Sequence, residues 1–222
     1  MYKTLLFDMD GTLIDSAQGV YSSLFHSIRS VGREPFPQEE VRHFLGHPLE
    51  KVLEERYGYD RRTALLVRER YVVHYGETGI RATVPVPGIV ETVARLKAAG
   101  FRLAVASCKP WEFCMMTLEL CGFGDSFEAV AGPGPNGVPE EKSAVIREAL
   151  RLLNAPAGEA LMIGDRDVDV YGARDCGVPC VGVEFCGYAG PGELAGAGAV
   201  AVVRSVRELE DYLMGQGTPR PI

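Results

Sequence analysis

No apolar run in these 222 residues approaches the roughly 20 needed to cross a bilayer, which excludes a membrane-spanning helix. Positive charge is scarce as well. Against 30 aspartates and glutamates stand only 23 lysines and arginines, and a formal charge of −7 argues against a polyanionic partner such as nucleic acid. An acidic protein that handles an anionic substrate must gather its cations locally or borrow a metal ion. No secretory leader is expected, because Lys3 is the one charged residue before the short apolar run Leu5-Leu6-Phe7, which reads as a strand. The six cysteines, at 108, 114, 121, 176, 180 and 186, lack the short paired spacing of a zinc site. Cys114 and Cys121 fall seven apart on one expected helix and read as buried apolar thiols, and the whole set reads as reduced, structural cysteines. Repeats are absent, and the one compositionally biased tract is the small-residue stretch 187–198. These absences lead us to expect a cytoplasmic protein, monomer or homodimer, with neither nucleic acid nor membrane as partner.

What is present is ordinary globular material, with 46% hydrophobic and 24% charged residues. Its grammar changes twice. Residues 16–84 read as helices over 17–31, 39–44, 49–57 and 61–75, with apolar positions recurring every three or four residues, as at Val20, Leu24 and Ile28. No strand is expected there. Pro85 and Pro87 then form a stiff exit. From Gly88 onward, short apolar strands alternate with helices of about ten residues, the pattern of a parallel sheet with helices on both faces. The strands are apolar throughout, as a doubly covered sheet requires. The first strand, Leu5-Leu6-Phe7, belongs to this set. The expected domains are therefore an α/β core of 1–15 and 85–222 and an all-helical insert of 16–84, with 215–222 a loose tail.

Ligands of open parallel sheets bind beyond the carboxyl ends of the strands. Strand one delivers Asp8 and Asp10, one residue apart, followed by Gly11 for a sharp turn and Thr12 with a hydroxyl and amide donors. Two carboxylates so close repel unless a cation or a proton intervenes. A later strand ends in Ser107, with Cys108 and Lys109 behind it. Another ends in Asp165, with Asp167 and Asp169 following, and Lys142 opens a helix. Singly, each has a plain role as cap, turn or surface residue. The sheet would bring them together.

These residues resemble the haloacid-dehalogenase-like superfamily of aspartate-nucleophile phosphatases, and within it the phosphoglycolate-phosphatase branch. Asp8-Met-Asp10-Gly11-Thr12-Leu13 fits its first motif, Ser107 the second, Lys142 the third and Gly164-Asp165-Arg-Asp-Val-Asp169 the fourth. The helical insert sits where that branch carries a cap. The resemblance implies a Rossmann-like core and a magnesium-dependent phosphatase acting on a small phosphorylated metabolite, phosphoglycolate-like or a nucleoside monophosphate. Asp8 would be the nucleophile and Asp10 the acid–base. Mg2+ would be held by Asp8, the Asp10 carbonyl and Asp165, supported by Asp169. Ser107, Lys142 and Lys109, with amides at Met9, Gly11 and Thr12, would hold phosphate. Asp10 favours phosphoryl transfer over dehalogenation, which needs no acid for an alkoxide. The lysine–proline pairing frequent in the third motif of relatives is absent after Lys142. Arg42 and His47 flank a bend that either approaches the site or lies at the surface, and Trp111 either lines the entrance or packs inside. Hinges near Ser16 and Val84 would gate entry. A phosphosugar mutase with the same aspartyl-phosphate, and a non-enzymatic phospho-acceptor module, are the alternatives.

Overall fold

The computed structural model describes residues 2–45, 48–134 and 137–215. Its backbone separates into two compact units, Met1–Asp15 with Pro85–Ile222, and Ser16–Val84.

The first unit is built on a six-stranded parallel sheet in the order β5-β4-β1-β6-β7-β8. The strands are β1 (Thr4–Phe7), β4 (Arg102–Ala106), β5 (Ala129–Ala131), β6 (Ala160–Gly164), β7 (Cys180–Val183) and β8 (Ala201–Val203). Two-residue strands β2 (Ile14–Asp15) and β3 (Val84–Pro85) mark where the chain leaves and rejoins this unit. β1 lies between β4 and β6, with Phe7 opposite Val105 on one side and Ile163 on the other. Successive strand residues point to opposite faces, and the core divides accordingly. Leu5 and Phe7 face one layer, formed by α4 (Ile89–Ala98), α5 (Trp111–Leu120) and α9 (Val206–Met214) through Ile89, Val93, Leu118, Leu209 and Leu213. Leu6 faces the other, formed by α6 (Lys142–Leu153), α7 (Asp167–Arg174) and α8 (Glu193–Ala197) through Ile146, Leu150, Val170 and Leu194. Every residue of β1 is buried, which explains its unbroken apolar run. The chain runs from β1 outward through β4 to β5, then returns to the far side of β1 as β6. The loops after β1 and β6 therefore diverge, and diverging loops open a crevice at the strand ends.

The second unit holds α1 (Ala17–Ser30), α2 (Leu49–Tyr57) and α3 (Arg61–Glu77). The short helix expected over 39–44 is instead a 3-10 turn at Gln38–His43, because Pro37 caps a segment too brief for several α-turns. Asp60 starts α3 by accepting from the Thr63 amide, and Gly58 ends α2 in the left-handed conformation. Phe36 stacks on Tyr57 with ring centroids 3.8 Å apart, and the Tyr57 hydroxyl donates to Glu40 at 2.5 Å. α1 meets the 3-10 turn Gly79–Ala82 backbone to backbone: a Cβ on Gly19 would stand 2.2 Å from the Gly79 carbonyl oxygen. Gly19→Ala is accordingly expected to destabilise this unit by about 1–3 kcal/mol through overpacking. A urea midpoint equal to that of wild type would refute the tight contact.

All six cysteines are free thiols, as their spacing suggested. No described helix is long and apolar enough to cross a membrane. The tail expected at 215–222 falls, apart from Gly215, outside the described residues, as does His47.

Candidate active site

Asp8 directly follows β1, and its N–H donates to the Ile163 carbonyl at 2.9 Å, which fixes it beside β6. The chain then folds back on itself. The Leu13 and Ile14 amides both donate to the Met9 carbonyl, and Gly11 N–H donates to the Ile14 carbonyl. Gly11 has φ +80°, and a Cβ there would stand 2.1 Å from Asp165 Oδ2 and 2.8 Å from the Tyr188 ring. Only glycine fits, for conformation and space alike.

From the far edge of the crevice, Lys142 enters at the first turn of α6, buried, its stem lying over Gly172 of α7. A Cβ on Gly172 would come within 2.6 Å of the lysine Cγ. Lys142 Nζ donates to Asp8 Oδ1 at 2.5 Å and to the Ala106 carbonyl at 3.1 Å. It also pairs with Asp169, 2.6 Å from Oδ1. Asp169 is held in turn by the Arg166 amide on its second oxygen, against Gly164. Arg166 itself pairs with Glu193.

Asp8, Asp165 and Asp169, all buried, offer oxygens within 4.8 Å of one another. Both Asp165 oxygens are buried without a hydrogen-bond partner. Burial pushes the Asp8 carboxyl up to about 6 despite the opposing pull of Lys142. Burial, then the neighbouring Asp169 and Asp8, holds Asp165 well above the usual carboxylate range. Burial alone would lower Lys142, but Asp169 and Asp8 outweigh it and hold the ammonium well above its ordinary value. One lysine among three buried carboxylates leaves a deficit of positive charge. A hard divalent cation with oxygen ligands fits that deficit and the orphaned Asp165 oxygens.

Ser107 is buried at the end of β4, and its Oγ accepts from the Lys109 amide at 3.3 Å. Lys109 Nζ contacts both oxygens of Asp10. Thr12 Oγ1 is buried without a hydrogen-bond partner. Cys108, between the serine and the lysine, is pushed by burial up to about 11, which makes it a poor nucleophile at neutral pH. Sequence reasoning missed one pair beside the site. Tyr188, after β7, donates to Asp15 at 2.5 Å and packs against the Gly11 turn.

A profile of the haloacid dehalogenase-like hydrolases matches residues 5–183. The chain belongs to that family. It is 32% identical to a 5'-nucleotidase of Pseudomonas aeruginosa, over 87% of each chain. It is 31% identical to a plasmid-borne phosphoglycolate phosphatase of Cupriavidus necator, over 94% of this chain and 92% of the other. A predicted phosphatase from Clostridium acetobutylicum, known from its crystal structure, superposes with a TM-score of 0.90 at 34% identity, covering 97% and 99%. Within the haloacid dehalogenase-like family, this chain is a phosphoric monoester hydrolase.

Proposed function

We propose that this hydrolase cleaves a small phosphomonoester, phosphoglycolate-like or a nucleoside monophosphate, in two steps through Asp8. The observation that carries the reading is the convergence of Asp8, Asp165 and Asp169 around Lys142, with both Asp165 oxygens lacking a partner. In the first step an Asp8 oxygen bonds to phosphorus as the ester P–O bond breaks, and Asp10 gives its proton to the departing alcohol oxygen. In the second, water attacks phosphorus, Asp10 takes its proton, and the P–O bond to Asp8 breaks to release inorganic phosphate. Lys142 holds Asp8 in line and, with Ser107 and the Met9 amide, meets the negative charge on the phosphoryl oxygens. The Gly11 and Thr12 amides, expected to join them, instead donate to the Ile14 and Met9 carbonyls within the turn. Asp8, the Asp10 carbonyl and Asp165 would hold Mg2+, which would neutralise phosphoryl charge, with Asp169 acting as support through Lys142. The helical unit, residues 16–84, is proposed to be a cap that selects the ester.

The test is phosphate release from 4-nitrophenyl phosphate, phosphoglycolate, nucleoside monophosphates, sugar phosphates and pyrophosphate, with Mg2+ and with EDTA. We expect turnover of a small monoester that EDTA abolishes. Turnover indifferent to EDTA, or isomerised sugar phosphate in place of free phosphate, would overturn the reading.

A further inference from the structure

Asp8 and Asp10 each have a lysine, and the two lysines arrive from different loops. Lys142 takes Asp8, whereas Lys109, three residues past β4, takes Asp10 with Nζ 3.0 Å from Oδ1 and 3.2 Å from Oδ2. The Lys109 side chain is only 6% exposed. Its backbone is held on several sides. The amide donates to Ser107 Oγ, and the carbonyl accepts from Cys114 Sγ at 3.4 Å. Gly132 lies so near that carbonyl that a Cβ would stand 2.7 Å from the oxygen. The Trp111 amide closes the loop onto the Pro133 carbonyl at 2.7 Å. A buried ammonium on so fixed a stem contributes little net stability, since desolvation offsets attraction. It does restrict which way the carboxylate can turn.

Lysine has three donors and no acceptor. A protonated Asp10 can keep its carbonyl oxygen on Nζ, but its O–H cannot point there. We propose that Lys109 is a positioning residue for Asp10, directing the carboxyl proton away from the ammonium and toward the departing oxygen, and that it does not itself grip the phosphoryl group. The proposal rests on the two-step reading above, in which Asp10 protonates the leaving alcohol as the ester bond breaks.

The experiment compares wild type, Lys109→Met, Lys109→Arg, Asp10→Asn and Asp8→Asn with saturating Mg2+, using an alkyl phosphate, 4-nitrophenyl phosphate and vanadate inhibition. An alkoxide leaves only with a proton, whereas a nitrophenolate departs without much help. Lys109→Met should therefore lower kcat/KM for the alkyl ester on the order of 100-fold and for the aryl ester far less. Vanadate inhibition should be unchanged, Lys109→Arg should recover most of the alkyl activity, and Lys109→Met should add no loss in the Asp10→Asn background. Equal losses on both esters, vanadate binding weakened in step, or a full loss on top of Asp10→Asn would overturn the proposal. If Lys109→Met does not fold, Lys109→Ala takes its place: a bias against the alkyl ester supports positioning, and an unchanged alkyl-to-aryl ratio refutes it. If Asp8→Asn stays active, the two-step reading falls first. If it is inactive while the losses are equal, the Lys109 proposal falls alone.

Discussion

Asp8→Asn is expected to abolish turnover while making the metal-free protein more stable than wild type above pH 6. A carboxamide cannot carry the phosphoryl group, so the loss should reach roughly 10⁴-fold or more, as for other residues that act as a catalytic unit. The stability effect follows from burial. In the fold the Asp8 carboxyl is raised from 3.8 to about 6. A raised carboxyl contributes stability that is fully present below its unfolded value and is lost as pH climbs through its folded value. Wild type should thus lose on the order of 2–3 kcal/mol between about pH 4 and pH 6 from this group. Asp165, also raised, extends the decline upward. The substituted carboxamide has no charge to bury, and Lys142 keeps Asp169 as its partner. Urea melts of both proteins in EDTA at pH 5 and pH 8, beside a phosphate-release assay, check both halves. A variant that turns over, or one less stable than wild type at pH 8, would contradict the account.

Lys142→Met is expected to be the most destabilising single change in the site. Removing one partner of a buried ion pair costs about 3–5 kcal/mol, because the remaining charge has lost both water and counterion. Here the lysine contacts Asp8, Asp169 and the Ala106 carbonyl. Lys142 is itself raised well above its usual value, so it stays charged throughout the neutral range, and its contribution would fade only in strong alkali. The pH dependence of the variant must then come from the carboxylates. Asp8 and Asp165, both raised by burial, take up protons more readily at pH 5 than at pH 8 and so relieve more of the loss there. The penalty should therefore be larger at pH 8 and shrink on adding Mg2+, which replaces some of the missing charge. Chemical melts at both pH values, with and without Mg2+, decide the matter. A penalty that ignores pH and metal would mean the lysine acts by packing alone.

Local pattern foretells much of this architecture. Apolar runs bounded by glycine mark the strands, and polar residues just past them mark Asp8, Asp10, Ser107 and Asp165. Those signals are short-range, since a strand end and the residue after it are neighbours in the chain. The same logic finds Lys142 only as a helix start; its burial depends on Gly172, far along the chain on another helix, and nothing near position 142 announces that. The Tyr188–Asp15 hydrogen bond joins loops 173 residues apart. Lys109 reads in the sequence as a cation for phosphate, and its grip on Asp10 depends on how β4 lies against β1. The turn at Gln38–His43 reads as a short α-helix because three-residue spacing of apolar positions suits a 3-10 turn equally well.

The place of β1 in the sheet has a bearing on synthesis. It precedes the rest of its sheet in the chain, yet its neighbours are residues 102–105 and 160–163. At typical elongation rates roughly 10–30 s pass before both partners emerge. Throughout that interval Leu5, Leu6 and Phe7 have no sheet to join, so Asp8 rides on a sticky, unpaired segment. Such a chain would benefit from a chaperone at the ribosome exit, and its helical insert, made of local contacts, is the part able to fold while β1 waits.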